Sequence, residues 1–380
     1  MQTPVLVEAK RTAVGKSGGM FKMVPPEKLG AAVLQAIIEE CGIDPVQIDE
    51  VILGNAVGPG GNLARLTTLT AGFPVDVPAV TIDRQCGSGL EAINIACRLI
   101  QAGAGDMYIA GGLESSSRAP WKMEKPTSLY GDPPAFFQRA PFSPEAIGDP
   151  EMGLAAENVA KVYGISREAQ DAFAYESHQK AGRAQKENRF QNEIVPVNGQ
   201  AQDEGPRANL SKRLLKRMPA AFEAGGTVTA GNACSVNDGA SAVLILSKEK
   251  CNELGLRPIL EFKDATSAGV DPNVLGIGPI PAVTKLLQRT RLSIDDVGLV
   301  EFNEAFASQV LASIRELNIP EGKLNVGGGA IALGHPYGAS GAILVTRLLT
   351  EIKRTNAKRA IATLGIGGGL GVATLFERCE

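Results

Sequence analysis

A chain of 380 residues with 44% apolar content can bury two sizeable cores, while a formal net charge of only −3 gives no support for general nucleic-acid binding. No stretch reaches about 18 uninterrupted apolar residues, which argues against a membrane-spanning helix. The six cysteines show neither zinc nor redox spacing and read as free thiols in a reducing cytoplasm, with no metal site. The 44 glycines and 23 prolines, beside 5% aromatic and 21% charged residues, indicate many tight turns over an Ala, Val and Leu core of α/β type.

Pro4-Val-Leu-Val-Glu8 reads as a first strand, too short for a signal-peptide core. Glu27 to Glu40 carries apolar residues at helical spacing, with Gly42 as a stop, and leads into the acidic turn and strand Ile48-Asp49-Glu50-Val51. Ile280 to Leu287 followed by Ile294-Asp295-Asp296-Val297 repeats that grammar. Ser88-Gly89 opens a helix that runs toward Gly111-Gly112, and Ser340-Gly341 opens one that runs toward Gly367-Gly368-Gly369. The pattern reads as a duplicated α/β unit with chemistry at a shared face, or else as chance likeness between two α/β stretches.

Between the halves, Pro120 to Pro150 holds Trp121, Phe136, Phe137 and Phe142 with little periodicity, and reads as an ordered lid rather than strand or helix. Helices are expected from Met152 to Tyr163 and from Ser166 to Asn188. His178 lies among charged residues of the second and reads as solvated surface. The basic run Arg207, Lys212, Arg213, Lys216 and Arg217 is either a solvated face or a phosphate holder. Cys234, in the glycine-rich connection Gly225 to Gly239, reads as packed or pocket-lining rather than nucleophilic.

Cys86 stands where the apolar strand Val80-Thr-Ile breaks into Cys86-Gly-Ser-Gly89 and a helix begins. Unpaired amides and the helix dipole there favour thiolate over thiol, and Gly87 and Gly89 clear the approach for a bulky electrophile. A buried cysteine in a tight turn is the alternative. His335, between Gly334 and Pro336 in a glycine-rich loop, can take a thiol proton, or can simply be packed. Asn303 ends a strand and can position a water or an oxyanion. A cysteine protease of papain type is disfavoured by chain order, because there the asparagine follows the histidine.

These residues, together with Gly226-Thr-Val-Thr-Ala-Gly-Asn232, Asn237-Asp-Gly239, Gly276 with Gly278-Pro-Ile-Pro281, Asn303-Glu-Ala-Phe306, Gly327 through Pro336 and Gly367-Gly-Gly-Leu-Gly371, resemble the thiolase family. The likeness is to its acetyl-CoA acetyltransferase and 3-ketoacyl-CoA thiolase branch, over essentially the whole chain. It implies a duplicated αβαβα layered fold with halves at 1–268 and 269–380, a loop domain at 119–238 inserted in the first, and homodimers or homotetramers. It also implies that Cys86 carries the acyl group, that His335 activates it, and that Asn303 holds a water in one oxyanion hole. Backbone amides of Cys86 and Gly367 would form a second hole. Coenzyme A thioesters are the implied substrates, without a permanently bound cofactor. Arg207 and Arg217 are candidates for the phosphates, and Asn232, Met152 and Phe306 for further contacts.

The resemblance fails at one position of consequence. The family normally has a second cysteine directly before Ile-Gly-Gly-Gly, and here that residue is Gly365. Glycine cannot move a proton, and such transfer is worth roughly 10² to 10⁴ in rate. Cys379 lies too near the chain end to replace it; Glu151 or Asp264 are the carboxylates in question. The expected activity is therefore a thiolase with altered proton chemistry. The alternatives are an acyltransferase to another acceptor, a thioesterase or a decarboxylating condensing enzyme, and a non-catalytic acyl-CoA-binding scaffold.

Overall fold

The computed structural model describes residues 2–126, 128, 130, 131, 134–137 and 139–380. In the N-terminal half, β1 (Pro4–Thr12), β2 (Glu50–Gly54), β3 (Ala79–Ile82), β4 (Met107–Ser115) and β5 (Asn237–Ser247) stand in the order β3-β2-β4-β5-β1. In the C-terminal half, β6 (Leu260–Gly269), β7 (Leu299–Phe302), β8 (Arg359–Ile366) and β9 (Leu370–Arg378) stand in the order β7-β8-β9-β6. Pairing is parallel between β2 and β4 and between β7 and β8, then antiparallel from β4 to β5 and from β8 to β9. The orders superpose element by element, except that β3 has only a single bridge, Val300 to Leu324, as its counterpart. This shared order is the duplication read from the sequence. β1 and β6 pair at Val5–Glu261 and Leu6–Leu260, so the sheets join along one edge. Because β6 pairs with the last strand, it belongs to the C-terminal sheet, and the expected 268/269 boundary falls at its end.

The helices are α1 (Pro26–Cys41), α2 (Leu63–Thr70) and α3 (Ser88–Ala102) in the first half, α4 (Met152–Val162) and α5 (Arg167–Lys186) in the excursion, and α6 (Pro279–Thr290), α7 (Ala307–Glu316) and α8 (Tyr337–Arg354) in the second half. Local chemistry sets several ends: α1 starts on Pro26 and stops at Gly42, whose φ of 62° lets its N–H reach Ile38 O. Packing sets the layers. Leu29, Val33, Leu34 and Ile37 of α1 cover the outer face of the first sheet, and Ala282, Val283, Leu286 and Val310 cover that of the second. Between the sheets lie α3 and α8, with Leu90, Ile93, Ile100, Val345, Leu348 and Ile352 in one shared core. The central α8 is buried on nearly every side because both its faces are covered, and its buried Arg347 is paired with Glu193 and Glu351. The result is five layers, α, β, α, β, α.

The excursion lies over both halves. Val159, Ala160 and Ile165 pack on Ala312, and Ala174 on Ala307 and Ile331. Buried ions clamp it: Glu193 takes Arg11 Nε of β1 at 2.8 Å and Arg347 Nη1 of α8 at 2.6 Å, and Asp203 takes Arg11 Nη1 at 2.6 Å. Pro120 to Pro150 departs from expectation in one respect. Lys122–Met123 pairs with Phe136–Phe137 as a short antiparallel ladder, and the exposed Trp121 ring meets Phe136 edge-on at 6.3 Å. His178 is also a correction. It is only 5% exposed, because the segment at Arg207 closes over it and the Arg207 N–H donates to Nδ1 at 3.2 Å. Among the described residues, no helix is long and apolar enough to cross a membrane, and no group of three or more His, Cys, Asp or Glu could hold a metal ion.

Candidate active site

The Cys86 loop is built by its neighbours. Gln85 takes the left-handed conformation at φ 47°, its N–H held by Asp83 Oδ1 at 2.7 Å. Ser88 Oγ accepts the Arg84 N–H at 2.8 Å and donates to Gln85 O at 2.6 Å, which fixes the turn from β3 into α3. The backbone N–H groups of Gly367 and of Cys86 itself lie near enough to favour the thiolate electrostatically. Burial outweighs them. With Glu114 and Asp83 also opposing ionisation, the thiol is pushed up to about 12, so the resting group is a neutral thiol and not the thiolate that the helix start alone suggests.

The approach of the two halves at this point requires glycine. A Cβ on Gly89 would stand 2.7 Å from Gly338 O and 2.9 Å from Ala342 N, and one on Gly341 would strike the Leu90 backbone. The first turns of α3 and α8 therefore touch backbone to backbone, and bring the loops before them to one face.

His335 is almost fully buried in the loop before α8. Its N–H donates to Asn237 Oδ1 at 2.9 Å, Nδ1 lies 2.6 Å from Ser340 Oγ, and Nε2 lies 3.4 Å from Asn303 Nδ2. Burial pushes the imidazole down to about 4, so it is neutral and able to accept a proton. The Tyr337 ring meets it edge-on at 5.1 Å. Asn303 is pinned by its N–H to Thr363 O at 3.0 Å, where β7 leaves the sheet beside β8. Cys86 with Gly367, and His335 with Asn303, thus form two contacting pairs. Tyr337 spans them, touching His335 and lying within electrostatic reach of Cys86.

Gly365 sits on β8 with its Cα hydrogen side toward Gly276 O and Gln309 Nε2, which a Cβ would meet at 3.0 and 3.3 Å. Both carboxylates in question have arginine partners. Asp264 is held by Arg98 and, at 3.0 Å, by Arg289 Nε, an ion cluster that consumes its charge. Glu151 is an exposed residue at the start of α4, 3.3 Å from Arg139 Nε. Cys379 packs against the outer core of the first half.

The other expected contacts divide. Arg207 and Arg217 are exposed and free to meet an anion. Phe306 is half-buried and meets Phe222 edge-on at 6.1 Å, and the Phe222 ring fills the space over Gly153 beside half-buried Met152. Asn232 is fully buried, and its amide is spent on Asp171 Oδ1, Thr227 O and the Thr229 N–H, so it shapes the loop instead of facing a ligand. Four residues had drawn no functional reading: Ser340, Asn237, Tyr337 and Glu114. Ser340 follows His335 by five positions, and along the chain it marks only the opening of a helix. Glu114 is buried on β4, accepts N–H groups of Ala56, Val57 and Gly338, and is pushed up to about 7 by burial.

A five-layer α/β scaffold with one strand order used twice, and a cysteine and a histidine delivered by equivalent loops, defines a class of duplicated α/β enzymes with a thiol and imidazole site. The chain belongs to the thiolase family: residues 4–249 match the thiolase N-terminal domain and residues 256–378 the thiolase C-terminal domain. It is an acyltransferase of that family. VraB of Staphylococcus epidermidis, provisionally named an acetyl-CoA C-acetyltransferase, is 50% identical over 100% of this chain and 99% of its own. VraB of Staphylococcus aureus is likewise 50% identical, over 100% of both chains. Among solved structures, the Bacillus anthracis acetyl-CoA acetyltransferase superposes with a TM-score of 0.92 at 38% identity, covering 100% of this chain and 99% of that one. Human mitochondrial 3-ketoacyl-CoA thiolase, solved in complex with CoA, gives 0.93 at 35% identity, covering 100% and 98%.

Proposed function

We propose that this chain is an acyl-CoA:acetyl-CoA C-acyltransferase that works through an acyl thioester on Cys86 and forms or cleaves 3-ketoacyl-CoA. The observation that carries the reading is the Cys86 sulfur under the Gly367 N–H, with a neutral His335 held by Ser340 on one nitrogen and facing Asn303 with the other. In acylation, the Cys86 proton passes to His335, the sulfur attacks the thioester carbonyl, and the bond to the CoA sulfur breaks. The developing oxyanion would be met by the amides of Cys86 and Gly367, as oxyanion holes require. A second acyl oxygen would be met by His335 Nε2 and a water on Asn303. Exposed Arg207 and Arg217 are proposed for the CoA phosphates, with Met152 and Phe306 beside the pantetheine. CoA thioesters are proposed as substrates without a resident cofactor, in a cytoplasmic homodimer or homotetramer. The names of the relatives and the length of the match support the reading.

Gly365 favours a second reading, in which acyl transfer survives without ordinary carbon-acid chemistry. Mass spectrometry after brief exposure to acetyl-CoA, followed by acetoacetyl-CoA thiolysis by wild type and Gly365→Cys, separates the two. An adduct on Cys86 with thiolysis by the wild type supports the thiolase reading. An adduct with thiolysis only in Gly365→Cys supports the second. Absence of an adduct from every acyl-CoA removes both.

A further inference from the structure

We propose that Cys234 is the second proton carrier of the site, serving the leaving CoA thiolate and then the α-carbon of the acceptor thioester. The proposal rests on the acyl-Cys86 reading and goes beyond it. Acyl transfer to carbon needs two protons handled separately: one leaves Cys86 and one leaves the acceptor carbon. His335 has room for only the first.

The fold places Cys234 between the loops that carry Asn303 and His335. Its N–H donates to Ala305 O at 2.9 Å, its neighbour Ala233 bridges Phe306, and Val236 bridges His335. Ser235 and Asn237 hold the segment in place, Ser235 Oγ donating to Asn237 Oδ1 at 2.9 Å and the same oxygen accepting the His335 N–H. Cys234 is half-buried, so one side stays open to a ligand. Burial and the proximity of Cys86 both raise its thiol, which keeps it protonated in the resting enzyme, the state a donor needs.

The other titratable groups nearby are committed. Glu114 is held by three backbone N–H groups and the Asn55 amide, and Glu304 by Ser177, Asn325 and the Ile331 N–H. Tyr337 is raised by burial and by both thiols.

In the acylation step the Cys234 S–H bond breaks and its proton goes to the leaving CoA sulfur, leaving a thiolate opposite the imidazolium of His335. That thiolate next takes a proton from the acceptor's α-carbon. The freed electron pair attacks the Cys86 thioester carbonyl, a carbon–carbon bond forms, and the bond to Cys86 sulfur breaks. Cys86 then recovers its proton from His335, and both thiols end as they began.

The test follows exchange of the acetyl-CoA methyl protons with D₂O, together with the extent of Cys86 acylation by mass spectrometry, in wild type, Cys234→Ser and Cys234→Ala. Serine keeps the volume but not the acidity, so a packing role survives in Cys234→Ser and a proton-carrying one does not. The expected result is Cys86 acylation that is slower in both variants but reaches the wild-type extent at long times, with exchange slowed at least about 10²-fold in both. Wild-type exchange in Cys234→Ser overturns the assignment and leaves the acyl-cysteine reading intact. Acylation of the wild type without exchange overturns the assignment together with the carbon-transfer reading. If the wild type takes up no acyl group, the reading beneath the assignment fails.

Discussion

The two halves use one device in two ways. In each, a serine-glycine pair opens the central helix and the loop before it holds a reactive side chain. In the N-terminal half a real edge strand, β3, leads to a five-residue turn, and Ser88 spends its hydroxyl on that turn's backbone. In the C-terminal half a single bridge at Leu324 replaces the strand, and Ser340 spends its hydroxyl on the imidazole. The longer second loop can tuck His335 into a dry interior, whereas the short first turn leaves Cys86 half-exposed. Duplication supplied the frame, and loop length decided which half leaves its side chain, a thiol, partly accessible and which buries its own, an imidazole.

The largest effect tests the division of labour directly. Cys86→Ala should lose the acyl adduct and lower thiolysis turnover by about 10⁶, the scale seen when a covalent nucleophile is removed. His335→Ala should slow acylation by about 10² to 10⁴, measured by rapid quench and mass spectrometry, while CoA binding persists. If the two variants behaved alike at acylation equilibrium, the halves would not have separate roles.

A stability experiment asks what holds the halves in register. Glu193 grips Arg11 of one half and Arg347 of the other, so Glu193→Ala takes one carboxylate from each of two buried guanidinium groups, leaving Arg11 with Asp203 and Arg347 with Glu351, and should cost roughly 3–5 kcal/mol in urea unfolding. The paired serines give a smaller contrast. Ser340→Ala should cost about 1 kcal/mol of imidazole positioning, read as a fall of about fivefold in turnover, whereas Ser88→Ala should appear first as about 1 kcal/mol of lost stability. Equal losses of turnover would erase the distinction drawn between the loops.

The smallest effect concerns His178, whose burial holds it down to about 4 from 6.5. Between those values the unfolded chain takes up a proton that the native protein refuses. The contribution of His178 is therefore complete above pH 6.5 and shrinks as pH falls toward 4. In His178→Gln that part of the slope should vanish, so the stability difference from wild type should change mainly across this window. A difference independent of pH would place the native imidazole in contact with water.

Much of this was legible along the chain. The helix starts at Ser88 and Ser340, the acidic turns before Val51 and Val297, and the glycine runs all follow from local conformational cost, and together they disclosed the repeat. Cys86, Asn303 and His335 stood out because a thiol, an amide and an imidazole each occurred beside glycines that clear space. Other readings failed for a common reason. His178 has charged neighbours on its own helix, yet Arg207, 29 positions on, closes over it. Asp264 and Asn232 have partners that no local pattern shows: Arg98 and Arg289 hold the first, and Asp171, 61 positions back, takes the amide of the second.

What the sequence determined by itself was the local chemistry: where strands and helices begin, that the unit is used twice, and where a thiol, an amide and an imidazole stand beside glycine-rich turns. What only the tertiary structure decided was the state of those side chains. Cys86 is held as a neutral thiol because the segments packed around its partly accessible sulfur raise it more than the backbone N–H groups of Gly367 and Cys86 lower it. His335 is neutral for the same reason, and Ser340 aims it. Propensity acts over a few residues and can be read along the chain, whereas solvent exclusion and hydrogen-bond commitment are properties of whatever the folded chain brings to the same place.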